Sequence, residues 1–509
     1  MIFFSFIIIF FLFLLVPFFS DPRTIVKLIS IITFLIGLSL YWKSKLPKGI
    51  VFLNSLFLQK NLWVWINISL LGLHLFILSQ LHLRSFFLTE NDFVSMSEIL
   101  NETIKGNFFH DSFHGDMDKG NYLAHHFSPS LILLTPFLYL SPTRMGYSYG
   151  LIFFSLLGVY FFFLNIKTFK LKYKIFLITF YILNLYNYRL FTSYHFEILS
   201  LTFFLAWFYY KKNQNRFLEF LLFLFLLGLK EDISIYMSLF SFYFLFEKKY
   251  LSFIYYFFTP IIYHFLFIPF AQSFLDQSTT QNWLHIWEGF GNSIPKILLF
   301  FLKNPKIIFL QIWNKKKTLV DLYGNFSFLP LASFKILLTA SCIVCIHLLS
   351  SRIWHNSFYH YYAYSILPSF WIGVLDFFSK KKQLSQTTLF LFLAVSLYFG
   401  SLDKHYPLSY PTPSEDFEIM QEIISKIPFK AEIQVSFQLG ALLPRHLKLY
   451  PLKNLDNPKE YLLYAPSQFQ TESEQKLEAE LKKMEVLGKI ILVIEKKRVK
   501  LYKKGILKI

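Results

Sequence analysis

Charge is what this sequence has least of. Asp, Glu, Lys and Arg supply only 16% of its 509 residues, against 55% hydrophobic and 21% aromatic. A soluble chain of this length needs far more polar surface to stay dispersed, so lipid must be its main solvent. Cysteine is almost missing. The two present, Cys342 and Cys345, lie about one helical turn apart in an apolar run, and two thiolates cannot complete a structural zinc site. Acids are scarcer than bases, 31 against 50, which leaves a formal charge of +19. In a lipid-embedded chain Lys and Arg gather in loops and helix ends beside anionic headgroups. Membrane lipid is therefore the expected partner, and nucleic acid is not. Residues 1–20 lack a basic start and a small-residue cleavage site, so they are expected to form a span and not a cleaved signal.

What the chain has instead is phenylalanine, 66 residues of it, in runs such as 153–163 and 217–229. A span needs roughly 17–25 apolar residues. The candidates are 1–20, 27–42, 62–82, 146–166, 175–190, 197–210, 217–229, 233–247, 251–270, 331–350, 359–378 and 385–402. One more is expected within 271–330, where Lys303-Asn304-Pro305-Lys306 and Asp321, Gly324 and Asn325 blur the pattern. The fold class is thus an all-α polytopic membrane domain of about 13 transmembrane helices, residues 1–402, with a long first external loop, 83–145.

Orientation follows from the basic clusters. Lys43/Lys45/Lys48, Lys167/Lys170/Lys172/Lys174, Lys211/Lys212/Arg216, Lys248/Lys249 and Lys380/Lys381/Lys382 fall on one face, which is read as cytoplasmic. Arg23 and Lys27 depart from this rule. From residue 403 the composition becomes that of a soluble protein, on the opposite face. Residues 415–427 read as an amphipathic helix, 432–437, 447–452 and 460–464 as strands, 472–484 as a charged helix, and 489–503 as a hairpin. This is a small extracytoplasmic α/β domain whose patterns are locally complete.

The polar residues on that external side are the candidate chemistry. Asp92 sits in Asn91-Asp92-Phe93, soon after a span. An acid there could orient or deprotonate a hydroxyl, or simply sit solvated at a helix start. His126, in His125-His126-Phe127-Ser128-Pro129, follows His110, Asp111, His114, Asp116 and Asp118. Such a group could hold a divalent metal ion, although its spacing fits no fixed zinc pattern. His195 and Glu197 open one span, Lys230, Glu231 and Asp232 close a very short one, and His360 opens a late one. Charged residues abutting apolar segments must face protein or a water-filled cavity, as a functional site or as an internal ion pair.

In order, these motifs resemble a bacterial membrane family known as domain of unknown function 2079. The residues that carry the resemblance are Asn91-Asp92-Phe93, Ala124 to Pro129, Tyr194-His195-Phe196-Glu197, Lys230-Glu231-Asp232 and His360-Tyr361, then Leu442-Leu443-Pro444-Arg445-His446 and Glu460 to Leu463. His125 stands where the family has an acid, Phe196 where it has proline, and Ser193 where it has a second acid. The family's architecture is similar to that of GT-C glycosyltransferases. The resemblance implies a cytoplasmic (inner) membrane enzyme that uses a polyprenyl-phosphate-linked sugar donor and a cell-envelope acceptor. Asp92, Glu231 and Asp232 would be catalytic, and His126, His195, Glu197, Lys230 and His360 would bind substrate. A transporter or flippase of a lipid-linked precursor, and a non-catalytic envelope assembly protein, are the alternatives.

Overall fold

The computed structural model describes residues 8–9, 12–13, 15–18, 22–42, 62–86, 91–113, 120–275, 287, 289–291, 293–358, 361–381, 383–403, 406, 410–452, 455, 457–466 and 472–505. They form two compact units, Met1–His74 with Phe153–Ser409 and Leu75–Ile152 with Tyr410–Ile509. The chain is mostly helical, with a small C-terminal sheet.

The first unit is built of helices whose core is aromatic. Trp371 lies against Phe162, Phe180, Tyr181 and Phe326 at ring separations of 4.9–5.5 Å. Its indole N–H donates to Asn187 Oδ1 at 3.0 Å, so the polar end of a buried ring is satisfied. A second cluster surrounds Trp207, with Phe240, Phe244 and Tyr256 set edge-on to it.

Three described helices are long and apolar enough to cross a membrane: Leu62–Arg84, Gly146–Ile166 and Tyr250–Ser273. Pro22–Trp42 is a further continuous helix of 21 residues, most of 1–20 lies outside the described residues, and several of the other expected spans are shorter or broken. The segment expected as one span over 175–190 is two helices, Leu171–Leu183 and Leu185–Thr192. Asn184 makes the break: its backbone is extended, its side chain accepts from the N–H groups of Tyr186 and Asn187, and its amide donates to the Asn325 carbonyl at 2.9 Å. The span expected within 271–330 is also not a single helix. Ile294–Lys303, Pro305–Asn314 and Lys316–Asn325 are ten residues each, about 15 Å apiece, half of a hydrocarbon core. Pro305 and the lysines at 315–317 mark the interruptions.

In the second unit the sheet runs β1 (Glu432–Val435), β2 (Lys448–Pro451), β3 (Tyr461–Tyr464), β4 (Ile490–Lys496) and β5 (Val499–Lys504), in the spatial order β2-β1-β3-β5-β4. β1 is parallel to β2 and β3, whereas β5 pairs antiparallel with β3 and β4. The hairpin turns at Lys497, whose positive φ suits a tight reversal. Helices Phe417–Ser425 and Glu472–Val486 complete the expected α/β pattern.

The helix Asn91–Ile104 belongs to this same unit and carries fully buried Glu98. Arg144, also fully buried, donates from Nε to Glu98 Oε2 at 2.8 Å. Its Nη1 reaches the Leu443 and Pro444 carbonyls at 3.0 and 2.9 Å, and its Nη2 the Leu447 carbonyl at 2.9 Å. The Leu442 to His446 motif is thus anchored by an arginine of the first loop.

Candidate functional site

The chain turns sharply at Tyr194, in the left-handed region, just before helix Ile198–Lys212. That turn presents His195 and Glu197, both buried. A second break, at extended Lys230, separates helix Arg216–Leu227 from Glu231–Phe240. The two breaks meet: Lys230 Nζ donates to Glu197 Oε1 at 2.8 Å.

The Lys230 ammonium lies 5.3 and 5.2 Å from the rings of Tyr361 and Tyr364, within cation–π range. The His195 imidazole stacks on Tyr361 at 3.7 Å, and its Nδ1 is 3.7 Å from Glu197 Oε2. Tyr364 donates its hydroxyl to Asp232 Oδ2. Buried Glu197 Oε2 and Asp232 Oδ1 accept no hydrogen bond among the described residues. Burial alone would lower the Lys230 pKa, but Glu197, Asp232 and Glu231 outweigh it and raise it well above the ordinary value. The amine is therefore a permanent cation with carboxylates on two sides.

Around this core lies a shell of hydrogen bonds. Tyr236 and Ser365 approach His347 Nε2 at 3.3 and 2.7 Å, and the His347 ring stacks on His355 at 4.5 Å. His264 sits in a π-helical turn, Tyr263–Phe267, inside a long helix. Its Nδ1 is 2.9 Å from both the Glu231 carbonyl and Ser234 Oγ, which secures the first turn of the helix that carries Asp232. π-turns of this kind often serve to aim a side chain.

The structure therefore brings together His195, Glu197, Lys230 and Asp232, with Glu231 adjoining them in sequence. Asp92 and His126 belong to the other compact unit. Asp92 is half-buried in the first turn of Asn91–Ile104, where a helix dipole favours a carboxylate. His126 is half-buried after helix Tyr122–His125, its ring 5.6 Å from Tyr122. His110 pairs with Asn121 in an isolated bridge, and Asp111 Oδ1 accepts from the Phe113 N–H at 3.2 Å. His114, Asp116, Asp118 and His360 lie outside the described residues. Among the described residues no group of three or more His, Cys, Asp or Glu side chains is arranged for a metal ion.

Tyr364, Tyr236, His264 and His347 were not singled out from the sequence. A signal existed for Tyr364: it stands three residues from Tyr361, hence on the same helical face. The aromatic belt that membrane interfaces favour hides such a pair.

No curated protein and no solved structure matches the chain. The family described as "Predicted membrane protein (DUF2079)" matches residues 82–487, a stretch that holds the first loop, the breaks at Tyr194 and Lys230, and the C-terminal segment through β3 and helix Glu472–Val486. The chain belongs to that family.

Proposed function

We propose that this protein is a multi-pass glycosyltransferase of GT-C type, with about thirteen spans, that transfers a sugar from a polyprenyl-phosphate carrier to a cell-envelope acceptor. The observation that supports this reading is the half-buried Lys230 amine, held between Glu197 and Asp232 under two tyrosine rings. An ammonium has three N–H donors, and Glu197 takes one. The others suit a phosphate oxygen. As the bond between the anomeric carbon and that oxygen breaks, the oxygen keeps the electron pair and Lys230 balances the charge. The acceptor hydroxyl forms the new bond to carbon, and a carboxylate takes its proton. Asp232 offers an oxygen that accepts no hydrogen bond among the described residues for that role, and Asp92 is the candidate supplied by family likeness. Glu231 would tune the pair electrostatically, with His126, His195 and His360 as substrate contacts.

Polyprenyl phosphate added to the detergent-solubilised protein should raise the melting temperature of the wild type and not of Lys230→Gln. Equal shifts in both proteins overturn the assignment. The orientation implied by the basic clusters has its own test. A reporter fused after Lys380 should read cytoplasm, and one after Ile509 the external side; both on one side would refute it.

A further inference from the structure

A second polar cavity lies at the other end of helix Ile198–Lys212 from Glu197. Fourteen residues at 1.5 Å each put it about 20 Å from the Lys230 cluster. It has a volume of about 860 Å³ and is lined by Lys211, Lys212, Arg216, Lys249, Glu219 and Tyr256 among others. All of these fall within one compact unit.

The acids of this cavity are already occupied. Glu219 accepts from Lys211 at 3.0 Å and from the Tyr256 hydroxyl. Glu247 pairs with Lys335, and Asp376 with Lys380 at 2.5 Å. Lys211 is further fixed by the rings of Phe244 and Tyr256, 4.9 and 4.5 Å away. Lys212, Arg216 and Lys249 then set the sign of the cavity. Lys249 is 3.9 Å from Glu247, and neither Lys212 nor Arg216 has an ion-pair partner among the described residues. Two helices also begin here, Arg216–Leu227 and Tyr250–Ile262, and both place first-turn residues in the lining. Their N-terminal N–H groups add to the attraction for an anion.

The walls beyond the cavity are apolar and open. Phe217, Phe220 and Leu224 are exposed along one of these helices, and Leu251, Ile254 and Phe258 along the other. The two helices pack through Phe223 against Tyr255 and Tyr256. A free phosphate would use only the charged mouth. A phospholipid would use both the mouth and the apolar faces that lead from it.

We propose that this cavity is a binding site for the headgroup of an anionic phospholipid, whose acyl chains lie along the exposed faces of Arg216–Leu227 and Tyr250–Ile262. Each of the three cations adds attraction for an anionic lipid surface, and removal of all three should weaken binding about a hundredfold. The test uses the full chain in detergent, with phosphatidylglycerol as the probe and melting temperature and native mass spectrometry as readouts. Phosphatidylglycerol should stabilise the wild type and Lys230→Gln alike, which separates this site from that of the proposed transfer. The triple variant K212Q/R216Q/K249Q should lose most of the shift, whereas K212R/K249R should keep it. Undiminished binding by the triple variant overturns the site. An equal shift with phosphatidylcholine overturns the charge argument, and an equal shift with glycerol phosphate overturns the lipid as ligand. Should the triple variant fail to fold, unchanged affinity in both K212Q and K249Q would equally overturn it.

Discussion

Arg144 and Glu98 form a fully buried ion pair, and the same guanidinium donates to three backbone carbonyls, those of Leu443, Pro444 and Leu447. Glu98 completes the arrangement through Oε1, which accepts the Leu449 N–H at 3.0 Å. Four backbone groups of the C-terminal segment, around the start of β2, thus depend on two side chains 299 to 351 residues earlier. The pair adds to the few hydrogen bonds of the irregular backbone at 443–447, where the Pro444 carbonyl also accepts the Leu447 N–H at 3.2 Å.

Removing one partner strands the other. Arg144→Met leaves buried Glu98 with only the Leu449 N–H and the Asn101 amide, without its guanidinium, and strips three carbonyls of a donor. A cost of about 3–5 kcal/mol is expected. The double variant R144M/E98L removes both charges and should be less destabilised than R144M alone. Thermal unfolding of the detergent-solubilised chain measures both. A double variant worse than the single would mean that the backbone contacts outweigh the charges.

The C-terminal residues alone should not reach full stability, although their sequence patterns are locally complete. Residues 405–509 expressed separately lack Arg144, Asn101, whose amide reaches the Arg445 carbonyl at 2.9 Å, and Val94, against which Gly440 packs too closely for a Cβ. A low, poorly cooperative melt is expected. A sharp transition in that fragment, unchanged when residues 82–152 are supplied, would show that the contacts are dispensable.

Glu102 gives a pH dependence of definite sign. Burial would raise its carboxyl, but hydrogen bonds from Lys105 and Asn107, and the charges of Lys105 and Lys448, together lower it below the ordinary 4.5. A carboxyl depressed in the folded state stabilises above its unfolded value and loses that contribution as pH falls through the folded one. Wild type should therefore be more stable than Glu102→Gln at neutral pH. The gap should close as the medium is acidified below 4.5. A gap independent of pH would assign the effect to packing.

Much of this was legible beforehand, and what was not has physical reasons. Every secondary-structure element expected in the C-terminal segment is present, because period-two strands and a charged helix announce themselves locally. The meeting of Glu197 with Lys230 was foreshadowed by charges at the ends of apolar segments. Arg144 was invisible, since a single arginine in a loop carries no pattern and the carbonyls it holds lie 299 residues or more away. The helix break at Asn184 was obscured for a different reason, since hydropathy averages across it, whereas Lys303-Asn304-Pro305-Lys306 already marked the interruption at Pro305. Tyr364 was hidden among the other tyrosines of its segment.

The carboxylates at Asp92 and near Lys230 should separate stability from activity. Lys230→Met leaves Glu197 buried without its 2.8 Å partner and removes the charge that offsets Asp232. Breaking a buried pair in this way typically costs about 3–5 kcal/mol, so lower expression and a lower melting temperature are expected. Glu197→Gln in the same background neutralises the stranded acid and should restore part of the loss. Asp92→Asn is isosteric and affects a half-buried residue at a helix start, where the dipole contributes roughly 0.3–1 kcal/mol. Its melting temperature should stay close to that of the wild type. Release of polyprenyl phosphate from a polyprenyl-phosphate sugar should then be lost in Asp92→Asn if Asp92 is the base, and in Asp232→Asn if Asp232 is. Full release by both asparagine variants would exclude a proton-accepting role for either acid.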